Sequence, residues 1–152
     1  MLLPPEAEEV LELDELWSYV GNKNNPVWIW IVLCRRTRQV VAWMWGDRSA
    51  NTCEQLWAHV PANYKHAFCY SDLLAAYQKV LDPRQHQACT KQEGQTNHIE
   101  RFNLTLRQRL ARFVRKTLAF SKSLLMHIVV LRLFFHSYNQ QQAHKHNKSY
   151  RT

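Results

Sequence analysis

Val10-Leu11-Glu12-Leu13-Asp14-Glu15-Leu16-Trp17 alternates with the period of a β-strand. Leu11 and Leu13 fall on one face, Glu12 and Asp14 on the other. Acids within an apolar strand are costly to bury unless something offsets their charge, such as a metal ion. The other reading is an edge strand with one wet face. The residues up to Trp45 also read as sheet. Gly21 to Pro26 is a turn cluster. Val27-Trp28-Ile29-Trp30-Ile31-Val32-Leu33 is a near-continuous apolar run, as in a strand covered on both faces and central in its sheet. Arg35-Arg36-Thr37-Arg38 makes a basic hairpin tip, and Val40-Val41-Ala42-Trp43-Met44-Trp45 returns as a third strand. Three strands with short connections form an antiparallel meander. The Trp pairs suit core packing better than a base-stacking platform.

The second part alternates between strand and helix. Gly46-Asp47-Arg48-Ser49 ends the meander. A helix is predicted from Ala50 to His59, with Asn51-x-x-Glu54 as its capping box and Pro61 as its stop. Lys65 to Asp72 reads as a fourth strand with Asp72 at its C-terminal tip, and Leu73 to Leu81 as a second helix. Asp72 also suits the N-cap of that helix. Gln85 to Thr90 reads as a short fifth strand, and Lys91 to Thr96 as a polar, mobile link. This order implies parallel crossovers, with sites at the C-terminal ends of strands. The fold class is therefore α/β, a mixed sheet flanked by helices. Residues 1–9 are expected to be irregular, 10–137 to form one domain, and the Gln-, His- and Lys-rich residues 138–152 to be a disordered tail.

Asn97 to about Leu118 reads as a helix. Ile99, Phe102, Leu106, Leu110 and Phe113 make its apolar stripe. At roughly 100° per residue, Glu100 and Arg107 lie nearly one above the other at the border of that stripe. Arg101, Gln108, Arg112 and Arg115 form a basic flank. Asn97-x-x-Glu100 also fits a capping box, which would employ Glu100 locally. A final apolar helix, about Ser121 to Ser137, would cover one face of the sheet. Its apolar run from Leu124 to Phe135 is short, and His127 and Arg132 interrupt it, so it is no membrane span.

The net charge of +8 is unevenly spread. All twelve Asp and Glu lie at or before Glu100, whereas eleven Lys and Arg and no acid come after it. A one-sided basic half points to a polyanion, most often nucleic acid. Only three Gly are present, which excludes a Gly-rich phosphate loop. Cys34, Cys53, Cys69 and Cys89 are too widely spaced for a zinc pattern and suit reduced thiols in a cytosolic setting. The N-terminus lacks the basic and apolar regions of a signal peptide.

Three acids stand out: Asp14 on the first strand, Asp72 at the tip of the fourth, and Glu100 on the later helix. The topology would bring the strand-centre Asp and the strand-tip Asp to face the helical Glu across the sheet edge. Clustered carboxylates repel and favour divalent metal, and hard oxygen ligands favour Mg²⁺ or Mn²⁺. Two such ions can carry phosphoryl transfer. Arg107 would hold a phosphate beside them. Arg101, Arg107, Arg109, Arg112, Arg115, Lys116 and Lys122 would bind phosphates without reading sequence.

Five segments carry a resemblance as well: Leu11 to Trp17, Gly46 to Ser49, Tyr70-Ser71-Asp72, Ile99 to Arg107, and Phe120-Ser121-Lys122-Ser123. Together and in this order they resemble the transposase of the insertion-sequence IS-one family, over about residues 10–136. The resemblance implies an RNase H-like fold and an Asp-Asp-Glu triad that cuts and joins transposon ends, which carries by motif onto Asp14, Asp72 and Glu100. It places a basic residue at Arg107, seven after the Glu. It implies double-stranded DNA as partner (transposon ends and target), an oligomer in the active complex, and action in the bacterial cytoplasm at the nucleoid. Family members usually carry a zinc-finger and helix-turn-helix region, here expected as a separate or fused partner because this chain begins beyond it. The rival readings are an RNase H-like nuclease that cuts without joining and a co-opted DNA-binding module without catalysis.

Overall fold

The computed structural model describes residues 1–116 and 123–151, with backbone alone for 112–116. The meander forms as expected: β1 is Val10–Tyr19, β2 Pro26–Cys34 and β3 Val40–Gly46. β2 pairs antiparallel with both others. After α1 (Ala50–His59), the short β4 (Phe68–Ser71) lies parallel to β1 on its other side. After α2 (Ala75–Val80), β5 (His86–Ala88) lies parallel to β4. The sheet order is β3-β2-β1-β4-β5. The chain therefore has the RNase H-like mixed sheet, three antiparallel strands extended by two parallel ones. β1 is its central strand, which overturns the wet-edge reading.

The period-2 pattern builds a core on each face. Leu11 and Leu13 join Trp30, Val32, Cys53 and Leu56 on the side of α1 and α2. Leu16, Ile29, Ile31 and Leu33 pack on the other side against α3 (Asn97–Lys116) and α4 (Leu124–Ser149). Ile99, Phe102 and Leu106 supply the α3 stripe, and Ile128, Leu131 and Phe135 that of α4. The side chain of Phe113 and the helix end expected at Leu118 lie outside the described residues. Trp30 is fully buried and Trp43 lies 4.9 Å from the Phe135 ring, whereas Trp28 is half-buried beneath Arg48 and Trp17 is exposed. The four cysteines are free and buried.

Several local expectations give way to longer-range contacts. The arginines at the hairpin tip do not simply face water: Arg35 pairs with Glu12 at 3.0 Å and Arg36 with Glu9 at 2.8 Å. Helix α1 is capped by Ser49, whose Oγ accepts from Thr52 N, and not by an Asn51–Glu54 box. A 3₁₀ turn with its own Thr90–Glu93 capping box occupies Lys91–Glu93, and Gln95 O accepts from Arg35. Helical structure occupies most of residues 138–152, where a disordered tail is expected. Helix α4 runs on to Ser149, and Asn139 on it bonds both backbone groups of Val40. Residues 1–9 contain no helix or strand, yet Leu3 N donates to Gln39 Oε1.

Candidate active site

The site is a consequence of unequal strand lengths. β1 pairs with β4 only through Glu12 opposite Tyr70. β4 stops at Ser71, while β1 continues to Tyr19. A notch is left beside β1 at the centre of the sheet, not at its edge, and side chains from both faces of β1 can turn into it. Asp14 enters from the α3 face and Glu15 from the α1–α2 face. Asp72, the first residue past β4, closes the third side. Carboxylate oxygens of Asp14, Glu15 and Asp72 lie within 4.8 Å of one another.

Each acid is held differently. Asp14 Oδ1 accepts from Glu15 N and its Oδ2 from Asn103 Nδ2, both at 2.9 Å. Both donors are neutral. Burial, then the charges of Glu15, Asp72 and Glu100, push the Asp14 carboxyl up to about 7. Glu15 Oε1 receives Arg48 Nη2, and its Oε2 the hydroxyl of the fully buried Tyr77, each at 2.8 Å. Burial and Asp72 raise Glu15, against the pull of Tyr77 and Arg48. Asp72 accepts from Leu74 N at 2.9 Å, while the N-cap position of α2 is Leu74. Its carboxylate thus steadies the turn into α2 without being the cap residue. Among the described residues neither Asp14 nor Asp72 forms an ion pair.

Glu100 lies on the opposite wall of the same cleft, which has a volume of about 390 Å³. Its charge reaches Asp14, but it is not one of the three acids within 4.8 Å. The expected capping box at Asn97 is replaced. Glu100 Oε1 accepts from Thr96 Oγ1 at 3.2 Å, and the amides of His98 and Ile99 are taken up by Glu12. Arg107 lines the cleft with Glu100, as their helical spacing predicts. Arg101 does not: it borders a separate groove with Arg38, Phe102 and Tyr138. Arg109 stacks over Phe134 at 5.5 Å. The side chains of Arg112, Arg115 and Lys116, and all of Lys122, lie outside the described residues.

The sequence reading missed Glu15, Asn103, Arg48 and Lys91, which also line the cleft. Alternation places Glu15 opposite Asp14, and only the early end of β4 lets both reach one point. Asn103 carried a signal: it stands three residues after Glu100, on the same side of α3. Three carboxylates offering hard oxygen donors, one of them pushed up to about 7 by burial and by its neighbours' charge, fit a divalent metal ion.

Tyr77→Phe tests how Glu15 is held. Hydrogen bonds to a charged group contribute about 1.5–3 kcal/mol, so the variant should lose about 2 kcal/mol of stability at pH 8. Tyr77 lowers the Glu15 carboxyl, so its removal raises that group further. A raised acid loses stability as pH climbs through its titration, so the deficit should shrink at pH 5, where Glu15 holds its proton more readily. Equal denaturation midpoints for the two proteins at pH 8 would contradict the bond.

A central strand and a neighbouring strand tip carrying acids, faced by a helix across a cleft, define the class: an RNase H-like domain with an acidic site. The comparisons give the family. Residues 9–141 match the family model for IS1 transposase. The chain is 35% identical over 127 residues to insertion element iso-IS1n protein InsB of Shigella dysenteriae, covering 82% of this chain and 92% of that protein. It is 38% identical over 120 residues to insertion element IS1 protein InsB of Shigella flexneri, covering 79% and 88%. Insertion element IS1 4 protein InsB of Escherichia coli (strain K12) is 35% identical, with 79% and 70% covered. This chain belongs to the IS1 transposase family, and its role is that of a transposase.

Proposed function

We propose that this chain is the catalytic domain of a DNA transposase that cuts the phosphodiester at transposon ends and joins the freed 3′ ends to target DNA. The observation that supports this most directly is the convergence of Asp14, Glu15 and Asp72 within 4.8 Å, with Glu100 and Arg107 lining the same cleft. Asp14 and Asp72 would share divalent cations, two Mg²⁺ or Mn²⁺, and Glu100 would complete the second position. Such ions, when bound, supply charge neutralisation at the reacting phosphate and a nucleophile usable at neutral pH.

The chain's own residues supply the rest. Asn103 steadies Asp14, and Arg48 and Tyr77 steady Glu15 against the repulsion of Asp72. Arg107 orients the phosphate beside the acids. Arg101 and Arg109, displaced from the cleft, would meet the DNA backbone farther along. Double-stranded DNA, a separate or fused zinc-finger and helix-turn-helix region, and further copies of the chain complete the active assembly, in the bacterial cytoplasm. Among the described residues no helix is long and apolar enough to cross a membrane.

The test is a strand-transfer assay with the element's own ends, supercoiled target DNA and Mg²⁺. Joined products that vanish with EDTA support the reading. Cleavage without joining would favour a nuclease, and metal-independent binding alone a DNA-binding module. Arg107→Ala should weaken binding to duplexes of any sequence by up to about tenfold and flatten the salt dependence by about one unit of log slope. An unchanged slope would remove Arg107 from the phosphate contacts.

A further inference from the structure

Glu12 bears a carboxylate and is 0% exposed. The catalytic reading gives it no part. Its Oε1 accepts from the amides of His98 (3.0 Å) and Ile99 (3.3 Å). Its Oε2 accepts from Arg35 Nε (3.0 Å) and His98 Nδ1 (2.7 Å). The first amides of a helix have no acceptor within it. For α3 that acceptor comes from the first half of β1. Arg35 extends the connection, donating to Gln95 O at 2.6 Å and lying 5.0 Å over the Tyr70 ring. Glu12 thus ties β1 to the β2–β3 turn and the start of α3, and Arg35 carries the connection on to β4.

The register of these ties matters. Asp14 stands two residues after Glu12 in β1, and Glu100 two after His98 in α3. Asn103, one turn farther on, is itself bonded to Asp14. Glu100 is bracketed between two attachments of α3 to the strand that carries Asp14. We infer that Glu12 is a positioning residue, whose carboxylate docks the N-terminus of α3 so that Glu100 stands across the cleft from Asp14 and Asp72. This rests on the reading of those three acids as a metal site. The docking is geometric: it needs an acceptor oxygen at the reach of a Glu side chain.

Three variants of the full chain separate geometry from charge. Glu12→Gln keeps one acceptor oxygen for the His98 and Ile99 amides and drops the charge, with its NH2 group facing Arg35 Nε and His98 Nδ1. Glu12→Asp keeps the charge and withdraws it by one methylene. Glu12→Ala removes both. Amide hydrogen exchange reads the docking without any metal. In Glu12→Asp and Glu12→Ala the His98 and Ile99 amides should exchange at least about tenfold faster, while β1 amides stay protected and report an intact sheet. In Glu12→Gln both should remain protected.

Iron-directed backbone cleavage reads the positioning. Fe²⁺ with ascorbate and peroxide should cut the natural sequence near residues 14, 72 and 100. Glu12→Asp should keep the first two cuts and lose the third, and Glu12→Gln should keep all three. A full-strength cut near residue 100 in Glu12→Asp, unchanged protection of the two amides, or a folded Glu12→Gln that releases them would each overturn the inference. Absent cuts near residues 14 and 72 in the natural sequence would instead sink the metal reading. The exchange comparison then decides the docking alone: release in Glu12→Asp over a protected β1 supports it, and undisturbed amides refute it.

Discussion

An Asp14→Asn protein is expected to lose Mg²⁺-dependent strand cleavage by about a thousandfold or more, yet to melt at a higher temperature than the natural sequence at pH 8 in EDTA. The first effect comes from the proposed role. Several kcal/mol of transition-state stabilisation pass through a cation held by Asp14, and about 4 kcal/mol is a thousandfold in rate. The second comes from geometry. The site holds Asp14 close to Glu15 and Asp72 with only neutral donors, and burial with these neighbours pushes its carboxyl up to about 7. Its value is raised above that of the unfolded chain, so the folded state binds the extra proton. The penalty is absent below the ordinary Asp range, grows as pH rises towards 7, and is constant beyond. An amide in place of the carboxylate removes the penalty, so the gain should appear at pH 8 and fade at pH 5. Added Mg²⁺ should reverse the ranking, because a ligand at a hundred times its Kd adds about 2.7 kcal/mol to the form that binds it. Equal melting temperatures at pH 8 in EDTA, or cleavage that survives the substitution, would contradict this account. Few substitutions separate catalysis from folding so cleanly, since a merely damaged core loses both.

The site was legible in proportion to how local its causes are. The alternation of Leu11 and Leu13 with Glu12 and Asp14 is a property of eight residues, and it placed Asp14 on the correct face. The strand tip at Asp72 and the seven-residue step from Glu100 to Arg107 are equally local. The capping box at Asn97 failed because its rival, Glu12, lies 86 residues from His98, whose amide it takes. No window along the chain contains both. Glu15 was missed for a related reason. Strand periodicity puts it opposite Asp14, and only the length of β4, a fact about another segment, opens the notch that reunites them. The basic residues read as one surface because charge along a helix is countable, whereas the directions of Arg101 and Arg109 depend on which neighbours of α3 leave room.

The same logic applies to residues 138–151, at the far end of the described chain. Residues 138–152 are rich in Gln, His and Lys and lack an apolar stripe, which favours disorder when only burial is considered. Their helix is nevertheless anchored by one side chain. The amide of Asn139 accepts from Val40 N at 2.7 Å and donates to Val40 O at 2.8 Å. It thereby stands in for a missing strand on the outer edge of β3, which is an edge of the sheet. Gln39 Nε2 donates to Asn139 O at 2.9 Å, and Gln39 Oε1 accepts from Leu3 N, so Gln39 links the N-terminal segment to the middle of α4. Asn139→Ala leaves two part-buried backbone groups without partners. Each such loss costs about 1–3 kcal/mol, so the variant should be destabilised by about 2–3 kcal/mol. For a chain of this length, 1 kcal/mol moves the melting temperature by about 2–4 °C, which makes the expected fall about 5–10 °C. Gln140→Ala, on the exposed side of the same helix, should stay within about 0.5 kcal/mol. A melting temperature for Asn139→Ala equal to that of the Gln140 control would mean that α4 beyond Ser137 does not hold the β3 edge. The stability of that edge would then have to come from the Ile128, Leu131 and Phe135 packing alone.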